Sequence, residues 1–298
     1  MNFDEYSDLK ISDDIVSKGG NFRDVKISGD GTIEGEINCR NMSISGDGKF
    51  LGRIYCEQDL KISGDAILKD FVDCGNMKVY GDAELKDMLS VRGDLKIYGD
   101  MNIAGGLECN SVNVVGDLEA GKGLTSKTSI QIMGDASFGG SIKGKDVRII
   151  GDIYRCESVL GEIISIDGDV KASKDIEGDK ISIKGDVECD GLVNGDEVYI
   201  NMHGSHRIKE IGGRVVRVSE EIGKTWKFPI LFTIGNRMGS GLRCGCIEGD
   251  DIMIKNSKVK IIRGHNIIIG KGSYVDRVEY SGELTILDDA VVKESIKQ

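Results

Sequence analysis

Proline occurs once in 298 residues, tryptophan once, and aromatic residues make up only 5% of the chain. Any core must therefore be filled by aliphatic and small side chains. One proline beside 42 glycines also excludes the flexible Pro/Gly/Ser composition of a linker. No apolar run approaches the length of a membrane-spanning helix. The opening stretch MNFDEYSDLK is acidic and lacks the apolar core of a secretory signal, so export is not expected. The eight cysteines are accordingly expected as reduced thiols in a cytoplasm.

Charge is unevenly placed. The chain carries a net −11; residues 1–206 account for −15 and residues 207–298 for +4. An acidic body argues against nucleic acid as a partner. The basic end suits an anionic neighbour: the acidic part of another copy, another protein, or a membrane surface touched from outside.

What the chain has in abundance is one phrase, repeated. Gly-Asp recurs with its aspartate at 30, 47, 65, 82, 100, 117, 135, 152, 169 and 186, in steps of 17 or 18. A degenerate copy, KISDD, places Asp14 in the same register. Three residues before each aspartate stands a β-branched residue, from Ile27, Ile44 and Ile62 through to Ile183. Rows five before and seven after it are apolar throughout, for example Val25, Met42, Leu60 and Ile37, Ile54, Val72. A row three after it is apolar or small except at Arg155. Period-2 alternation puts alternate side chains on one face of a strand, and β-branched residues favour strands. Three short strands per 17–18 residues predict an all-β, single-stranded, right-handed parallel β-helix, handedness following the general crossover rule. The 17/18 variation falls between the residues equivalent to Cys39 and Met42, so only a turn should lengthen.

The Gly-Asp pair reads as a corner. Glycine there is expected to supply a positive φ and aspartate to accept backbone N–H groups. A ladder of aspartates binding cations is the competing reading, although the denser glycine signal of Ca²⁺-binding repeats is missing. Nine residues after the aspartate stand Cys39, Cys56, Cys74, Val91 and Cys109, then Ser126. This spacing matches no zinc motif, and Val91 indicates a volume requirement, so a buried thiol ladder is expected. His203 is read at the aspartate position of a further coil, and His203-x-x-His206 as structural. The Gly-rich GNRMGSG at 235–241 lacks the lysine and context of a phosphate loop. Neither catalytic nor metal-binding nor cofactor-binding residues are assigned, and no enzyme activity is expected.

The organisation read from these signals is a tail at 1–8, regular coils at 9–222, an irregular aromatic and Gly-rich interruption at 223–246, and further coils at 247–298. The interruption holds Trp226, Phe228 and the only proline, so it suits a cover or an interaction patch. Solenoid ends expose unpaired strand edges and core. The candidate assembly residues are therefore Leu9, Ile11 and Ile15 in the first coil, Trp226 and Phe228, and Val292 and Ile296 near the other end.

Phrases such as VKISGDGTIEGEI (25–37) and VNVVGDLEA (112–120), with the passage 267–296, resemble the bactofilins, bacterial polymer-forming cytoskeletal proteins. The resemblance implies a right-handed β-helix that joins end to end into filaments without nucleotide, self-association being the main partnership. A monomeric β-helix scaffold for partner proteins is the alternative, and a β-helix acyltransferase or polysaccharide-active enzyme the third reading.

Overall fold

The structure, a computed structural model, describes residues 2–201, 204–220 and 240–298. It is an all-β parallel solenoid of about 16 turns, with coils about 17 residues apart. The chain forms two compact units, Met1–Lys145 with Ile150–Cys156, and Asp146–Ile149 with Glu157–Gln298.

In the first unit the rows read from the sequence pair coil to coil. Val25 pairs with Leu9 and Met42, Leu60 with Met77, and Ile27 with Ile44. Ile27, Ile44, Ile62, Val79, Ile97, Val114 and Ile132 are all fully buried. Each such side chain contributes roughly 1.5–3 kcal/mol through removal from water, which is how a chain poor in aromatics holds its core. The longer coils absorb their extra residue where expected: ladders slip between Cys39 and Met42 and between Val91 and Asp94. Arg155 is also explained. A bulge after Ala136 pairs Arg155 with the outward Ser137, so Arg155 is exposed and Cys156 fills the inward place at 4% exposure.

In the second unit one row runs Ile149, Ile166, Ile183, Ile200 and Val218, each paired with the next. Val218 then pairs with Ile254, Ile254 with Ile269, and Ile269 with Ile286. The ladder thus continues from Val218 to Ile254 without a break in pairing, and Gly241–Ile254 is one strand. Gly241–Cys246, expected inside the interruption, therefore belongs to the solenoid, because Leu242 and Cys244 pair with His206 and Ile208. Trp226 and Phe228 lie outside the described residues.

Two corner expectations change. Among the described residues the glycines with positive φ are Gly19, Gly20, Gly241 and Gly272, and none of the repeat Gly-Asp glycines is one of them. Those glycines are needed because coils approach too closely for a side chain. A Cβ on Gly81, Gly99 or Gly116 would lie 2.2, 2.2 or 2.1 Å from the carbonyl oxygen of the equivalent glycine one coil earlier. The aspartates do accept backbone N–H groups, and they do so between coils. Asp117 N–H donates to Asp100 Oδ1 and Asp135 N–H to Asp117 Oδ1, each at 3.3 Å.

The cysteine row is a buried ladder. Cys39, Cys56, Cys74, Val91 and Cys109 pair in succession, and the four thiols are at most 3% exposed. Hydrogen bonding to Cys56, and then burial, raise the Cys39 thiol far above its usual range. Burial pushes the Cys109 thiol up to about 12.

Candidate assembly site

The end of the second unit is built from Tyr274–Tyr280, Leu284–Ile286 and Val291–Lys297. One coil earlier the inward row is complete: Ile267, Ile269, Val275 and Val278 are at most 1% exposed. Their rung partners are Leu284, Ile286, Val292 and Ser295. On this coil the same row is open, with Leu284 and Val292 half-buried and Ile286 47% exposed. Val292 thus lies on the inward row, opposite Val275. Ile296 pairs with Glu279 instead, on the neighbouring row, and is half-buried. Leu284 and Ile286 were not among the candidate assembly residues. Their place 17 residues after Ile267 and Ile269 was the signal that could have found them.

Charged pairs hold this coil in shape. Lys293 Nζ lies 2.8 Å from Asp276 Oδ1, a contact that raises the lysine's pKa well above its usual value. Arg277 contacts Glu279 at 2.8 Å and Glu294 at 3.8 Å.

The first coil differs. Leu9–Ile11 pairs with Val25–Ile27, and Ile15–Ser17 with Gly31–Ile33. Ile11 is 1% exposed, Leu9 half-buried, and Ile15 43% exposed beside Val16 at 64%. Ile11 is consequently core, packed towards Gly31 beside Ile27, and Ile15 with Val16 forms the open part of this end. The preceding turn Phe3–Glu5 is tied to later coils. Phe3 is buried, its ring 6.4 Å from that of Tyr55, and Asp4 pairs with Arg40 at 2.6 Å. Arg23 grips both oxygens of Asp8 at 2.9 and 3.0 Å, which holds that carboxylate below its usual pKa.

Among the described residues no group of three or more His, Cys, Asp or Glu is placed to hold a metal ion. His203 lies outside the described residues. The aspartate register it was read to occupy belongs to Ser205, whose N–H donates to Asp186 Oδ1 at 2.8 Å. His206 sits in the inward row opposite Val187, 1% exposed, with Nε2 2.7 Å from the Asn201 carbonyl oxygen and Nδ1 unpartnered. Burial pushes its pKa down. No helix among the described residues is long and apolar enough to cross a membrane.

No family model matches the chain, and no solved structure matches it. It is 45% identical over 51 residues to the uncharacterized protein YhbE of Bacillus subtilis (strain 168). That match spans 17% of this chain and 22% of YhbE.

Proposed function

We propose that this chain is a structural, self-assembling protein whose solenoid ends dock end to end into filaments without nucleotide, as its resemblance to the bactofilins implies. The observation that carries this reading is the open inward row of the Leu284–Lys297 coil, where Ile286 is 47% exposed in register with the fully buried Ile269. A docked coil would cover that row and pair the backbone groups of the open edge. Ile15, 43% exposed in register with the buried Gly31, offers an apolar counterpart at the other end. In this reading the protein is cytoplasmic and non-enzymatic, and its main partner is itself. Negative-stain electron microscopy of the purified protein without nucleotide tests it. Filaments are the expected result; uniform single particles would overturn it in favour of a monomeric scaffold.

A further inference from the structure

The outward position two residues before each repeat aspartate has no place in the core, yet in five consecutive coils it is apolar. Tyr80, Tyr98, Val115, Met133 and Ile150 are 48, 44, 42, 38 and 37% exposed. The same repeat position holds Ser28, Ser45 and Ser63 earlier in the chain and Asp167 and Lys184 later, so the coil itself does not require an apolar residue there. The Tyr80 N–H bonds the Ile62 carbonyl and the Ile150 N–H the Ile132 carbonyl, both at 2.8 Å, which sets these side chains in one row. Tyr80 and Tyr98 stack with ring centroids 5.0 Å apart and planes 9° from parallel. At about 4.8 Å per rung the stripe is roughly 19 Å long. A contiguous exposed apolar stripe of this kind marks an interaction surface.

A polar row flanks the stripe on each side. Two residues upstream on the same face, Lys78 and Lys96 stand beside Tyr80 and Tyr98, Asn113 and Gln131 beside Val115 and Met133, and Arg148 beside Ile150, while Lys61 lies in the same row one coil before the stripe. The Lys61 ammonium lies 5.2 Å from the centre of the Tyr80 ring. Two residues downstream, at the corner, stand the exposed Asp82, Asp100 and Asp117 and the half-buried Asp135 and Asp152, with Asp65 one coil before the stripe. Beside Tyr80 and Tyr98 the order from strand to corner is basic, apolar, acidic, and the corner aspartates also border a groove with Ala83 and Met101 of the next strand. A second copy laid face to face can match stripe to stripe about two different two-fold axes. With the axis parallel to the stripe, the flanking rows exchange sides, and each basic row meets an acidic one. With the axis perpendicular to it, basic meets basic and acidic meets acidic, which costs interaction energy.

We infer that this face pairs two copies of the chain side by side, pointing the same way, with their apolar stripes in contact. Lys78 and Lys96 then oppose Asp82 and Asp100 of the other copy, and Lys61 opposes Asp65 one coil before the stripe. The pairing also relieves repulsion among carboxylates stacked about 4.8 Å apart. It uses the side of the solenoid and does not rest on end docking.

Tyr80 and Ile150 mark opposite ends of the stripe, so they report direction. In an Ile286→Glu, Cys246→Ser background, Tyr80→Cys and Ile150→Cys are each treated with a bis-maleimide spanning about 8 Å, a reach suited to faces packed about 10 Å apart. The background removes the end contact, so failure here is separable from failure of end docking. Each variant should link to itself, giving a species near twice 32.3 kDa in denaturing gels. Linking only when the two variants are mixed would overturn the direction, and no linking in any sample would overturn the surface. Lys61→Asp with Lys78→Asp should lower self-linking about tenfold or more. Mixing that variant with Asp65→Lys plus Asp82→Lys should restore linking between them. Unchanged self-linking in either charge variant, with the fold verified by circular dichroism, would contradict the charge matching.

Discussion

Ser126 is the direct rung partner of Cys109, and its one hydroxyl hydrogen has two acceptors within reach, the carbonyl oxygens of Asn110 at 2.7 Å and Ser129 at 3.1 Å. The Cys56 thiol has the equivalent pair, Arg40 at 3.4 Å and Asp59 at 3.2 Å. The ladder position therefore takes a small side chain, Val91 included, and cysteine or serine there can also donate to a corner carbonyl. Cys39, Cys56, Cys74 and Cys109 should resist a maleimide in the native protein and react fully in denaturant. Rapid native labelling of any two, read by mass spectrometry, would contradict the ladder.

Ile97 is fully buried in the β-branched row, while its neighbour Lys96 points outward. Ile97→Ala should cost about 2–5 kcal/mol by leaving a cavity. Lys96→Ala should change stability by less than about 0.5 kcal/mol. Urea denaturation midpoints check the pair, and comparable values would refute the inward assignment.

The glycine ladder gives a second stability contrast. A Cβ on Gly99 would sit 2.2 Å from the Gly81 carbonyl oxygen, whereas the nearest atom to one on Gly106 is 3.6 Å away. Gly99→Ala should therefore cost about 2 kcal/mol or more, and Gly106→Ala less than about 1 kcal/mol, since only the first forces coils apart. Equal midpoints for the two variants would show that coil spacing is not what requires glycine.

His206 should make stability depend on acid. The ring is buried with its pKa pushed down, so between its folded pKa and the unfolded value of about 6.5 the unfolded chain binds more protons. Its contribution is therefore present above about pH 6.5 and is lost as pH falls towards the folded pKa. Denaturation of the wild type and of His206→Leu at a series of pH values isolates the effect from the carboxylates. The wild type should lose stability relative to the variant as pH drops from 7 to 5, and parallel curves would remove the role.

The periodic part of the fold was legible because one residue error in a strand reverses every side chain, so the rows of Ile, Val and Leu could align in only one way. The close approach of Gly99 to Gly81 was not legible, because a glycine row looks the same whether it serves φ or spacing. The bulge at Arg155 hid behind a single polar letter, and the first residues of the strand Gly241–Ile254, through Cys246, behind a composition that reads as loop. At the ends the sequence marked which residues fall on inward rows. It did not show that the first coil buries Ile11 while the last leaves Ile286 open, since both fall on inward rows of the same apolar pattern.

Sedimentation velocity of the wild type beside Ile286→Glu tests end docking most directly. Without nucleotide, at tens of micromolar, the wild type should sediment as large assemblies. Ile286→Glu should be folded and no larger than a pair, because a charge would be buried unpaired at the joint. A folded wild type that sediments as a single 32.3 kDa species, or an Ile286→Glu protein that assembles as the wild type does, would contradict the account.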